Sequence, residues 1–343
     1  MIDTLIVGAG LSGLALAEML EAQGRDYRVV DARDRVGGRI LSDPVDMGPA
    51  WYWPGQPRMA ALVGRLGLKR FNQFASGALT FEDRDGSIQR GRGFASMEGS
   101  WRVEGGMGTL TDALAACLPE GRVRLNTRVG ALERDGEGVI ARTNGDALHA
   151  RRVVLALPPR LVAEMAFRPS WPGAVISGMA QVPTWMAGQA KAVAIYAAPF
   201  WRDAGLSGDA MSRRGPMVEI HDASPADGSY GALFGFIGVP PAARRDESAL
   251  QAAVSAQFQA LFGGEAPSSQ HIKDWALDPL TATQADAAPL MTHPTYGLSP
   301  DQQSHWDGRV ILSGTETAPT FGGYLEGALE AAEAALQRLE GRQ

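Results

Sequence analysis

The chain has 343 residues, 45% of them hydrophobic, enough for two globular units with apolar cores. Its formal net charge is −6 and no run of Lys and Arg forms a basic stripe, so no nucleic-acid partner is expected. Cys117 is the single cysteine, which rules out an intrachain disulfide, and the five scattered histidines give no zinc-ligand spacing, so no metal site is expected.

Residues 3–7 (DTLIV) read as a buried parallel strand. The turn Gly8-Ala9-Gly10-Leu11-Ser12-Gly13 follows, then a helical pattern that stops at Gly24, then a second strand ending in Asp31. Gly8 permits the tight turn, Gly10 lets the backbone approach a pyrophosphate, and Gly13 allows helix and strand to pack closely. The helix that opens with Leu11 and Ser12 offers unpaired N–H groups and a partial positive charge to phosphates. Asp31 is placed to accept hydrogen bonds from an adenosine ribose, and its charge disfavours the 2′-phosphate of NADP. The reading is a dinucleotide site, because the glycine pattern sits in a strand–turn–helix–strand setting closed by an acid.

Further along lie ARDRVGGRI at 32–40, with Gly37, Gly38 and Arg39; Asp46-Met47-Gly48-Pro49-Ala50-Trp51; and VEGGMGTL at 103–110, ahead of a helix TDALAACLP that would bury Cys117 as a small core residue. Residues 122–157 read as a β-meander and a return strand, in the segments GRVRLNTRV, ALERD, GVIARTN and RRVVLALPP, with hairpin signals at Asp135-Gly136 and Asn144-Gly145. Between about 160 and 306 the pattern changes to longer strands, AKAVAIYAAPFW and YGALFGFIGV, and a helix ESALQAAVSAQFQALFG. Lys191 opens the first of these strands among small apolar residues, where an ammonium is costly unless paired or neutral. The last stretch is GRVILSGTETAPTFGGYLEGALEAAEAAL, with a strand at 310–312 and a helix from Leu325.

Taken together, these segments resemble the flavin monoamine oxidase family over most of the chain. The resemblance implies an α/β fold. A discontinuous Rossmann-like FAD-binding domain (1–54, 102–162 and 303–343) would carry an inserted α+β substrate-binding domain (55–101 and 163–302). It implies that FAD contacts Ala32, Arg33 and Gly38, that Arg39 meets the pyrophosphate, and that Val129 also belongs to the cofactor site. Gly48, Pro49, Ala50 and Trp51 would pass beside the flavin ring, with Pro49 a departure from the Gly or Ala common there. Gly314 would belong to the cofactor site, Gly322 and Gly323 would let the backbone approach the ring, Glu316 would accept from a ribityl hydroxyl, and the helix starting at Leu325 would point at flavin O2 and N1.

On the substrate side the resemblance makes Lys191 the lysine that holds a water near flavin N5 and Tyr324 one ring of an aromatic cage. The second ring is expected in PLMTHPTYG, where the position near Leu290 is not aromatic; His293 and Tyr296 are the nearby candidates, with Trp51 as a further substrate contact. That segment has no cysteine, so the FAD is expected to be noncovalent. The implied reaction is amine oxidation by hydride transfer to flavin N5, imine release, and reoxidation by oxygen to peroxide. Beside it stand an FAD-dependent dehydrogenase or desaturase with another acceptor, an amino-acid oxidase using Arg58 and Arg102 for a carboxylate (though each reads more readily as a surface residue), and a noncatalytic flavoprotein. No basic segment followed by an apolar stretch opens the chain and no run of about 20 apolar residues occurs, so a cytoplasmic protein without a membrane partner is expected.

Overall fold

The apolar runs from the two ends of the chain become neighbouring strands. Ile2–Val7 lies parallel to both Tyr27–Val30 and Leu148–Leu155, and Leu148–Leu155 lies parallel to Val310–Leu312. Leu5 pairs with Val153 and Val153 with Val310, all three fully buried, which is why these strands read as continuous apolar runs. The structure, a computed structural model, describes residues 1–264, 266–288, 290 and 292–341. Among these residues the sheet has nine strands. Val129–Asp135 and Gly138–Thr143 extend it antiparallel, and Ala166–Arg168 forms an edge.

The meander differs from the sequence reading at its start. Val123–Arg124 pairs with Tyr27–Val30, and the next strand begins only at Val129. Asn126 between them has φ 53°, and a left-handed residue interrupts a strand. Helices Leu11–Ala22 and Leu325–Leu339 share one core through Leu14, Ala17, Leu329 and Ala332, so the chain ends also meet in the layer above the sheet. The first helix stops as expected, with Gly24 at φ 65°. The helix Gly108–Ala116 ends one residue before Cys117, which is exposed at its C-cap. The expected burial of Cys117 is thereby corrected.

A second sheet has seven strands among the described residues, with Ala190–Tyr196 between Ser269–Asp274 and Gly231–Ile237. Its alternation decides what faces where. Ala190, Ala192 and Ala194 pack with Leu250, Val254 and Phe258 of the helix Glu247–Phe262. Val193 points the other way, onto Val45 and Met47 of the dinucleotide side. Lys191 shares that second face.

Candidate active site

Four parallel strands stop at one cleft. Gly8 follows Val7, Asp31 follows Val30, Ala156 and Leu157 follow Leu155, and Gly314 lies just past Leu312; all line one cavity of about 750 Å³. The carboxyl ends of parallel strands are where open α/β sheets bind ligands, since the helices that follow aim their N-termini there.

At one end of the cavity the glycines divide their work. A Cβ on Gly13 would run into the Gly8 carbonyl, and one on Gly8 would lie 2.6 Å from the Ala156 carbonyl oxygen, so these two allow packing. A Cβ on Gly10 would meet nothing nearer than the Gly37 carbonyl oxygen at 3.9 Å. Gly10 with Leu11 and Ser12 therefore offers open backbone to the cavity. Asp31 takes the N–H of Ala9 on one carboxylate oxygen (2.7 Å) and that of Arg33 on the other (2.8 Å). Ala32, Arg33 and Val129 line the cavity with it. The guanidinium of Arg33 is engaged elsewhere, on both carboxylate oxygens of Asp278 and on Thr281 Oγ1. Arg35, which no motif singled out, donates to the carbonyls of Val36, Gly38 and Ile40 and so shapes the Gly37-Gly38 turn.

In the middle, Gly48, Pro49, Ala50 and Trp51 line the wall. Asp46 explains how this segment is held: its Oδ1 accepts from Ser42 Oγ and from the Met107 N–H, which ties it to the turn at 103–108. Lys191 completes the clamp from the second sheet, donating from Nζ to the Gly48 carbonyl (2.5 Å) and the Asp46 carbonyl (3.3 Å). Nζ also lies 4.4 Å from the centre of the Phe234 ring. Burial is the largest influence on this ammonium; with Asp46 pulling upward and Arg102 downward, its pKa falls to about 7. The three successive aromatics separate as alternation requires: Trp51 and Trp53 line the cavity, while Tyr52 is fully buried in the core.

At the other end, Gly38, Arg39, Gly314, Gly323, Tyr324 and Leu325 line the cavity. Glu316 does not; it is fully buried, takes the Arg39 guanidinium on Oε1 at 2.7 Å, and among the described residues leaves Oε2 without a partner. His293 and Tyr296 pack on the Gly323 turn rather than lining the cavity. A Cβ at Gly323 would lie 2.9 Å from Tyr296 Cε2 and 3.1 Å from His293 Nε2. The His293 ring stacks on Tyr324 with centroids 4.5 Å apart. The Tyr296 hydroxyl donates to the Pro183 carbonyl and accepts from the Trp185 N–H. The position near Leu290 brings no ring, but Trp185, Phe236 and Trp275 stand in the cavity wall, and none of them carries a sequence signal. Arg58 and Arg102 are spent inside the protein. Arg58 pairs with Glu326 and Glu333, and Arg102, buried rather than at the surface, donates to the carbonyls of Ala223 and Ser224.

These features fit a long diphosphate cofactor with a polar chain. The helices that begin at Leu11 and Leu325 both start at the cavity, and neither N-cap residue supplies a side-chain hydrogen bond. Their free N–H groups remain open to an anion or a carbonyl. The backbone at Gly10 is unobstructed.

A family profile described as flavin containing amine oxidoreductase matches residues 11–93 and 81–339. The chain belongs to the flavin-containing amine oxidoreductases. FAD is the cofactor of this family, and the chain is an FAD-dependent oxidoreductase of the amine oxidase type. The flavin-containing amine oxidase B of Cavia porcellus is 25% identical, covering 98% of this chain and 86% of that protein. The alignment spans 453 positions against 343 residues, so the relative carries segments that this chain omits. Among solved structures, a putrescine oxidase redesigned in its cofactor binding superposes with a TM-score of 0.82 at 21% identity, covering 100% of this chain and 99% of that one. The cyclohexylamine oxidase of Brevibacterium oxydans gives 0.80 at 19% identity, covering 99% of each chain. At these identities the likeness concerns the fold. No helix among the described residues is long and apolar enough to cross a membrane.

Proposed function

We propose that the chain oxidises an amine held between Lys191, Trp51 and Tyr324, with noncovalent FAD lying along the cavity and oxygen or another acceptor closing the cycle. The observation that carries this reading is the single cavity running from Asp31 to Tyr324 with Lys191 in its wall. In it, Gly10, Leu11 and Ser12 hold the diphosphate, Asp31 the ribose, and Leu325 begins the helix that faces the redox end. When bound, FAD supplies the two-electron oxidation, which no side chain of the protein can perform.

The protein's own contribution is placement and proton control. Trp51, Trp185, Phe236 and Tyr324 give an aromatic wall that excludes water and favours the neutral form of an amine. Lys191, with a pKa near 7, has a substantial neutral fraction at neutral pH, and its Nζ can then take a proton and release it. The division into a cofactor unit (1–54, 102–162, 303–343) and a substrate unit (55–101, 163–302) belongs to the same reading, supported by the two separate sheets. Noncovalent attachment is supported by Cys117, the only cysteine, which is exposed and does not line the cavity. A cytoplasmic location is consistent with that lone thiol.

Anaerobic mixing with a panel of amines tests the proposal. The visible band of the oxidised flavin is expected to bleach with amines and to return on admitting oxygen, and acid precipitation should release all the colour into the supernatant. A band unmoved by every amine would overturn the assignment, and colour left in the pellet would overturn noncovalent attachment.

A further inference from the structure

A charged cluster on the substrate side of the cavity has no part in the reaction described so far. Glu219 lines the cavity from the strand Met217–Asp222. The register of the second sheet pairs Lys191 with Phe236 and Phe236 with Glu219. Residues paired across neighbouring strands present their side chains to the same face, so Lys191, Phe236 and Glu219 form one row along the cavity. Two inter-strand steps put the backbone of Glu219 roughly 10 Å from that of Lys191.

The cluster is built to keep this carboxylate charged. Glu219 Oε1 accepts from Ser96 Oγ at 2.5 Å and lies 3.0 Å from His221 Nε2. The other nitrogen, His221 Nδ1, lies 2.7 Å from Asp209 Oδ1. His221 is buried between two carboxylates, and an imidazole that donates from both nitrogens is an imidazolium. Burial opposes that charge, but the bonds to Asp209 and Glu219 outweigh it and the net direction is upward. The hydrogen bond from His221 is in turn the largest influence holding Glu219 below the usual carboxylate range.

Among the described residues no Lys or Arg forms an ion pair with Asp209 or Glu219; their partner is His221. Two carboxylates and one imidazolium leave this cluster one net negative charge, in a wall that also presents Trp51, Phe236 and, at the far end of the row, the partly protonated Lys191. Among the described residues Glu219 Oε2 makes no hydrogen bond, so it is open to a ligand.

We propose that Glu219 determines substrate specificity by binding a second cationic group, so that preferred amines carry a distal cation rather than an apolar tail. This rests on the amine reading above. The reacting nitrogen sits beside Lys191, and the distal cation reaches Glu219 across Phe236.

Calorimetric titration of the FAD-loaded protein under anaerobic conditions tests it with three ligands of one length: hexylamine, aminohexanol and hexamethylenediamine. The diamine is expected to bind about tenfold or more tighter than either monocation, as a charged hydrogen bond in a partly dry site allows. In Glu219→Gln that ratio should fall close to one. Equal binding of the three ligands to the native protein, which needs no variant, overturns the proposal, as does a preference that survives Glu219→Gln. Flavin bleaching by the same ligands separates the two readings. Bleaching without a diamine preference sinks the Glu219 site alone. A diamine preference with no bleaching by any amine leaves that site standing and sinks amine oxidation.

Discussion

Lys191 is the residue at which stability and chemistry conflict most directly. Its ammonium titrates at 10.5 in an unperturbed setting and at about 7 in the folded chain. Between those values the unfolded chain binds more protons, so this group makes stability rise with pH across the window, and its penalty is complete below about pH 7. Lys191→Met removes the penalty and leaves the Gly48 and Asp46 carbonyls without that donor. The melting temperature of the variant relative to the native protein is therefore expected to be highest near pH 6 and to decline toward pH 10. The change should amount to at most a few kcal/mol, at roughly 1.4 kcal/mol per unit of pKa. A difference that stays flat with pH would show that Lys191 does not titrate as a buried group. The identity of Lys191 was legible because a lysine in a run of small apolar residues is conspicuous. Its partners, two backbone carbonyls of a segment far away in sequence, were not.

At the scale of the element, the turn at 8–13 separates packing from binding. The N-cap Gly10 has φ −76°, which any residue adopts, and space for a Cβ. Gly13 has no such space, because its neighbour there is backbone. Gly13→Ala should destabilise the FAD-free protein by about 1–3 kcal/mol, the usual cost of overpacking. Gly10→Ala should leave the melting temperature of the FAD-free protein nearly unchanged and still weaken FAD binding, read as flavin fluorescence on titration. If both variants lose stability alike, the open approach at Gly10 is wrong. The motif itself shows in the sequence because a helix start that cradles a phosphate needs glycine at fixed spacing. Arg35, which holds the adjoining turn in place, belongs to no spacing rule.

For the whole molecule, the proposed cofactor site is a joint between the chain ends. Ser12 Oγ donates to the Ser313 carbonyl, Arg39 pairs with Glu316, and the buried Glu326 accepts from the Arg58 and Met59 N–H groups at the start of the helix Pro57–Arg65. A ligand that bridges this joint binds only the folded chain. Free FAD at a hundred times its dissociation constant should add about 2.7 kcal/mol. The melting temperature should climb with FAD concentration, and one indifferent to FAD would contradict the shared site.

Legible along the chain are GAGLSG, the acid at 31, and GTET with GYLEG, segments whose residues the fold brings to one cavity. There the chain must bring bare backbone to a ligand, and only glycines and helix starts at set distances do that. The sequence could not fix the depth of a side chain near an element's end, so Cys117 lies at the surface and Arg102 is buried. The opposite wall of that cavity follows from packing between distant segments. Trp185, Phe236, Trp275 and the row from Lys191 to Glu219 come from separate strands and loops. They meet through sheet register, which is a relation between distant segments and leaves no local pattern to read.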